Sequence, residues 1–176
     1  MIMKKLYILA AAAIAVAACG QKPSDLKERV ESYAVVEVSS PLYDALSEND
    51  KKIVSLFRQA GEIMDGLFWK QTFGDKAEME ALTDKYEKAY AMINYGPWDH
   101  LDNNAPFIEG YGEKPLGCQY YPQDMTVAEF EEFNDPDKLS LYTVIRRDEN
   151  GALKTVWYRD EYKEELEKVC ALLEEA

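Results

Sequence analysis

The residues able to do chemistry are few in kind. The 176-residue chain holds one histidine, three cysteines and 33 acidic side chains. A zinc hydrolase built on His-Glu-x-x-His needs two imidazoles on one helical face, with a carboxylate to handle the proton of water. His100 alone excludes that arrangement. No glycine-rich phosphate loop with its lysine occurs either. His100 lies beside Asp99 and Asp102, the imidazole and acid of a serine-type catalyst, but closeness in one loop supplies no nucleophile. Its ordinary reading is a surface or structural histidine, with substrate or partner contact second. Asp124, Glu129 and Glu109 are the candidates for a paired-carboxylate hydrolase, which requires one carboxyl raised by an apolar setting. Helix capping accounts more simply for Glu129, and solvent exposure for Glu109. No residue is therefore assigned to catalysis or metal binding.

The chemically interesting stretch is instead irregular: NYGPWDHLDNNAPFIEGYGEKPLGCQYYP, Asn94 to Pro122. Gly96-Pro97 and the Asp-Asn cluster close turns, while Pro106 and Pro115 restrict the path. Trp98, Phe107, Tyr111, Tyr120 and Tyr121 supply rings for a packed wrapping loop or one wall of a ligand groove. Trp98 and Asp99 are the first candidates for peptide contact, with Tyr120 and Tyr121 behind them.

Ahead of these residues runs MIMKK, then the apolar LYILAAAAIAVAA, which is short for a membrane span and reads as an export signal. Val16-Ala17-Ala18-Cys19 matches a bacterial lipoprotein processing site. A diacylated thioether at Cys19, with palmitate among its expected acyl groups, would hold the chain at the cell envelope, on the outer membrane. The expected division is a signal peptide at 1–18, a lipid-anchored tether at 19–30 and a single domain at 31–176. Removing residues 1–18 takes away Lys4 and Lys5 and no acid, leaving 18 basic and 33 acidic side chains, net −15. Such a charge argues against nucleic-acid phosphates and against attachment to anionic lipid through basic residues. Cys118 and Cys170 are left as either one disulfide or two separate thiols.

The elements that must position the loop are mostly helical. Ser47-Glu-Asn-Asp50 reads as a helix cap, and Ile53, Leu56, Phe57, Ala60, Ile63, Met64, Leu67 and Phe68 follow at helical spacing. After Gly74-Asp75 the pattern resumes through Met79, Leu82, Tyr86, Ala89, Tyr90 and Ile93, predicting a helical hairpin over Ser47–Tyr95. Thr126–Phe133 predicts a short capped helix. Leu141–Arg146 and Ala152–Tyr158 flank Asn150-Gly151 as a β-hairpin. Glu161–Glu174 closes the chain as a helix carrying Tyr162, Leu166, Val169, Cys170 and Leu173. The fold class is α+β, mostly helical, in one domain.

Three strings add a resemblance: Ile93-Asn-Tyr-Gly-Pro-Trp-Asp-His100, Pro106-Phe-Ile-Glu-Gly110 and Lys114-Pro-Leu-Gly-Cys-Gln-Tyr-Tyr-Pro-Gln-Asp-Met-Thr126. Together they resemble the amino-terminal region of bacterial proteins related to dipeptidyl-peptidase III, the M49 metallopeptidases, and the likeness runs from about Tyr33 to the end. His100 stands where that pattern expects an arginine, and Cys118-Gln119 where it expects Ala-Asn. The resemblance implies a two-lobed zinc peptidase whose His-Glu-x-x-Gly-His and downstream glutamate motifs lie beyond this region. Neither motif occurs here, so no zinc or catalytic role passes to any residue of the chain. The expectation is a truncated or accessory, lipid-anchored, non-catalytic portion that contributes a peptide-binding cleft wall, with zinc expected only alongside the missing catalytic region. One alternative is zinc-dependent peptidase activity when that region is supplied, making it a partner. The other is a standalone envelope protein- or ligand-binding lipoprotein.

Overall fold

The computed structural model of the chain describes residues 26–38 and 40–176. The signal segment, Cys19 and most of the tether lie outside the described residues. Within them run α1 (Leu26–Ser32), α2 (Pro41–Asp44), α3 (Glu48–Thr72), α4 (Lys76–Glu80), α5 (Lys85–Asn94), β1 (Trp98–Asp99), β2 (Ala105–Pro106), α6 (Val127–Glu132), β3 (Thr143–Arg147), β4 (Leu153–Trp157), α7 (Tyr158–Glu161) and α8 (Lys163–Glu175). The mostly helical α+β class holds, with two small antiparallel hairpins, β1–β2 and β3–β4. Leu26 and Val30 of α1, within the range 19–30 read as tether, pack against the main core.

The long helix α3 starts where its cap predicts. Ser47 Oγ accepts from the Asp50 backbone N–H at 3.2 Å and donates to the Asp50 carboxylate at 2.7 Å, satisfying amides that a helix start leaves open. Its helix partner is α8, antiparallel to it: Lys52 meets Glu175 at 2.8 Å near one end and Lys70 meets Glu165 near the other. Leu56, Ala60 and Leu67 on α3 and Val169 on α8 are buried. On α8 the buried stripe is rotated from the expected one, so that Cys170 is exposed while Leu172 is half-buried. Cys118 and Cys170 are both free thiols.

The second stretch of the expected hairpin is interrupted. Asp84 accepts from the backbone N–H groups of Tyr86 and Glu87 at 2.8 and 3.0 Å, a second cap that divides α4 from α5. Helix α5 ends on Tyr95 in the left-handed region, φ 53°, and that residue ties the helical stretches together. Its ring packs on Phe68 and Trp69, with centroids 4.7 and 5.0 Å apart, and its hydroxyl donates to Asp65 at 2.6 Å. Around this junction lies the core: Trp69, Phe73, Met79, Tyr90, Ala91, Trp98, Phe107 and Ile108. Trp69 is 1% exposed, and burying rings of this size contributes about 2–3 kcal/mol each before entropy is subtracted.

The C-terminal hairpin pairs Thr143 with Trp157 and Arg147 with Leu153. Its connection is longer than a two-residue turn. Asp148 Oδ1 accepts from the N–H groups of Asn150 and Ala152 at 2.8 and 2.9 Å, and Gly151 supplies the positive φ of 82°. The aspartate organises a longer connection than the predicted two-residue turn, and the register centres it on Asn150.

Candidate peptide groove

The loop that follows α5 divides into a buried half and an exposed half. In the first half, Gly96 at φ 143° brings its backbone against Trp98 and Phe73, where an added Cβ would meet their rings at 3.3–3.4 Å. Trp98 is buried, and its indole N–H donates to the Gly112 carbonyl at 2.9 Å. Asp99 is 1% exposed; its carboxylate accepts from the Arg29 guanidinium on α1 and from the Leu101 N–H at 2.9 Å. Its carbonyl accepts from the N–H groups of Asp102 and Asn104, and Asn103 and Asn104 take the left-handed turn at φ 51° and 58°, a conformation asparagine tolerates. The two leading contact candidates are thus committed inward, to backbone and to α1.

His100 is exposed. Lys114 Nζ lies 2.9 Å from its Nε2, so the neutral ring accepts from the ammonium there. Shielding by the loop, then the Lys114 charge, lowers its pKa from the ordinary 6.5. Asp102 is also exposed, and among the described residues no hydroxyl nucleophile is bonded to the imidazole.

The second half of the loop is strapped across the molecule. Gln119 N–H donates to the Gln71 carbonyl at 3.0 Å and its side-chain amide to the Phe73 carbonyl at 2.7 Å, both at the end of α3. The Tyr120 carbonyl accepts from Ile145 N–H on β3 at 2.9 Å, and its hydroxyl bonds Gln71 at 3.1 Å. Arg146 donates to the Gln119 carbonyl at 3.0 Å and to Glu161 at 2.7 Å. Tyr120 is half-buried in this strap, whereas Tyr121 stands 37% exposed beside it. Gly117 makes that placement possible. Its φ is 74°, and a Cβ there would meet the Tyr121 ring at 2.3 Å.

Two concavities meet at Tyr121, Pro122 and Gln123. One, of about 850 Å³, has Trp69, Lys70, Lys76, Arg146, Arg147, Glu161 and Tyr162 among its lining. The other, of about 660 Å³, has Pro115, Leu116, Met125, Val127 and Phe130 in its lining, with Glu113 and Lys114 at the same wall. The cations of the first are each paired: Lys70 with Glu165, Lys76 with Asp65 at 3.5 Å, Arg146 with Glu161, and Arg147 with Asp124 and Glu129.

Arg147 also settles the paired-carboxylate candidates. Asp124 and Glu129 do come together, at 2.9 and 2.7 Å from the same guanidinium. Its hydrogen bonds lower both carboxyl pKa values, the opposite of the raised acid that such a hydrolase needs. Glu129 therefore completes only half a capping box: its N–H donates to Thr126 Oγ1 at 3.1 Å while its carboxylate turns to Arg147. Glu109 is exposed in the turn that follows Ile108. Among the described residues no group of three His, Cys, Asp or Glu side chains is arranged to hold a metal ion. The groove's charged lining went unread in the sequence; adjacent Arg146-Arg147 in a strand was the signal on offer.

The class these features define is a mostly helical α+β unit with a surface groove and no metal-holding set among the described residues. No protein-family model matches the sequence. The fold is similar to part of dipeptidyl-peptidase III from Caldithrix abyssi, with a TM-score of 0.76 and 31% identity, covering 85% of this chain and 30% of that one. Dipeptidyl-peptidase III from Corallococcus sp. strain EGB gives 0.75 and 29% over the same shares. Among curated proteins, Nudix hydrolase 3 of Arabidopsis thaliana is 28% identical, over 60% of this chain and 18% of that protein. The chain spans less than a third of each of these relatives.

Proposed function

We propose that this chain is a lipid-anchored, non-catalytic relative of the dipeptidyl-peptidase III fold that presents a wall for binding short peptides. The observation that carries the reading is the two-part groove meeting at Tyr121, on a fold similar to part of two dipeptidyl-peptidase III structures. Tyr121 is the central contact, with Tyr120 as its support; Trp98 and Asp99 serve by holding the loop. The preferred ligand is a short zwitterionic peptide whose charged ends lie among Lys70, Lys76 and Glu161, and whose apolar side chain rests near Met125, Val127 and Phe130. Cys19 supplies the attachment to the outer membrane, and zinc enters only with a separate metal-bearing region.

Titration of the purified chain with short apolar peptides tests this reading. Tyr121→Ala is expected to weaken binding at least tenfold with the fold retained, and unchanged affinity would sink the groove assignment. Incubation with zinc and the same peptides is expected to give no cleavage. The mass of the membrane-extracted protein reports diacylation at Cys19, and an unmodified cysteine there would remove the anchor.

A further inference from the structure

Lys70, Lys76, Arg146 and Arg147 in the first concavity are each neutralised by a carboxylate, whereas Lys114 at the wall of the second is held differently. Its ammonium lies 2.9 Å from His100 Nε2 and 3.4 Å from the Asn104 side-chain oxygen, both neutral acceptors. Among the described residues no acidic side chain shares in holding it. The chain has 33 acidic residues against 20 basic ones, so an ammonium resting on neutral acceptors is a local opening for an outside anion.

The fold fixes where this lysine stands. Trp98 is buried, and its indole N–H ties down the Gly112 carbonyl two residues before Lys114. Pro115 follows directly, and a proline disfavours helical backbone in the residue before it. The half-buried lysine holds its ammonium 5.9 Å from the Trp98 ring centre, within cation–π range. From there it lines both the concavity of Met125 and Phe130 and a neighbouring one of about 590 Å³ that includes Asn103 and Cys118. Glu113 borders both as well, and its charge confines an incoming anion to the Lys114 side. A carboxylate reaching Lys114 would replace neutral acceptors with a charge-assisted bond. We infer that the groove selects short peptides in which an acidic residue stands next to the apolar one, the apolar side chain near Met125 and Phe130 and the carboxylate on Lys114. The inference rests on the groove reading proposed above and gives it a ligand class.

Calorimetric titration of the full-length chain, in detergent, tests this with peptide pairs that differ in one residue. Ala-Leu-Glu-Ala is compared with Ala-Leu-Gln-Ala, and Ala-Glu-Leu-Ala with Ala-Gln-Leu-Ala. In at least one order the Glu peptide is expected to bind about threefold tighter than its Gln isostere, the scale of a partly exposed ion pair, and added salt should shrink the ratio. Lys114→Met should bring the ratio to one while leaving affinity for the Gln peptide and the far-UV dichroism unchanged. Lys114→Arg should keep the preference, and Tyr121→Ala should weaken both peptides of a pair together. Equal affinity within both pairs, or a preference untouched by Lys114→Met, overturns the inference and leaves the groove standing. Failure of all four peptides to bind sinks the groove reading and this inference with it.

Discussion

The two halves of the loop after α5 differ in what they spend their side chains on. From Tyr95 to Phe107, Trp98 and Asp99 are buried and bonded to Gly112 and Arg29. From Gly117 to Gln123, Gln119 and Tyr120 carry the attachment through backbone and side chain, and Tyr121, edge-on to Phe130, keeps part of its ring at the surface. Residues of the same type, aromatic and polar, therefore serve stability in one half and presentation in the other. What separates them is burial: Trp98 and Asp99 spend their side chains inside the fold, whereas Tyr121 keeps part of its ring at the surface.

The largest expected effect removes the α3 ring on which the buried half rests. Trp69→Ala should cost about 3–5 kcal/mol, since it opens a cavity under Phe73 and Tyr95, whereas Tyr121→Ala should cost less than about 1 kcal/mol. Urea denaturation of both variants measures the contrast, and equal losses would erase it. Asp99→Ala ranks next, at about 2–4 kcal/mol, because Arg29 loses its buried partner and the turn loses an acceptor. The value sits below that of a fully buried pair because the Arg29 side chain is 37% exposed. Arg29→Met should recover part of the loss when combined with Asp99→Ala, measurable as a double-mutant cycle.

Gly117→Ala sharpens the comparison from the exposed side. The methyl group meets Tyr121 at a positive φ, so a stability loss of about 1–2 kcal/mol should come with reduced peptide affinity. Preserved affinity would mean that the ring orientation is not what binds.

Tyr111 offers a smaller, pH-dependent test. Burial and its hydrogen bond to Glu78 push the hydroxyl from 10.0 up to about 12. The unfolded chain releases that proton first, so the contribution to stability is complete below pH 10 and lost as pH rises through about 12. Tyr111→Phe should make the loss of stability across that window shallower, the other raised tyrosines keeping their share. The smallest effect concerns Asp124 and Glu129, whose lowered pKa values reverse the sign. Their pairing with Arg147 is present above the ordinary carboxylate range and lost as pH falls through their folded values. Arg147→Met should remove that acid dependence.

Local chemistry made much of this fold legible. Ser47 and Thr126 start helices because short polar side chains satisfy open amides, and the apolar segments either side of Asn150-Gly151 mark the hairpin. Asp84 carried the same capping signal but sat inside a continuing apolar period, which hid the break between α4 and α5. The contact of Arg29 with Asp99, 70 residues apart, and the antiparallel pairing of α3 with α8 follow from topology and leave no local pattern. The aromatic content of the loop pointed to a groove without showing which rings would face it. Trp98 and Tyr121 both look suited to contact by type. Only the Gly112 carbonyl waiting for the indole and the glycine beneath the tyrosine separate their roles.

The most direct test of this division is a residue-resolved NMR titration with a short apolar peptide. Shifts concentrated at Tyr121–Gln123, Lys76 and Arg147, with Trp98 and Asp99 unmoved, are the predicted result. Shifts centred on Trp98 and Asp99 would contradict it.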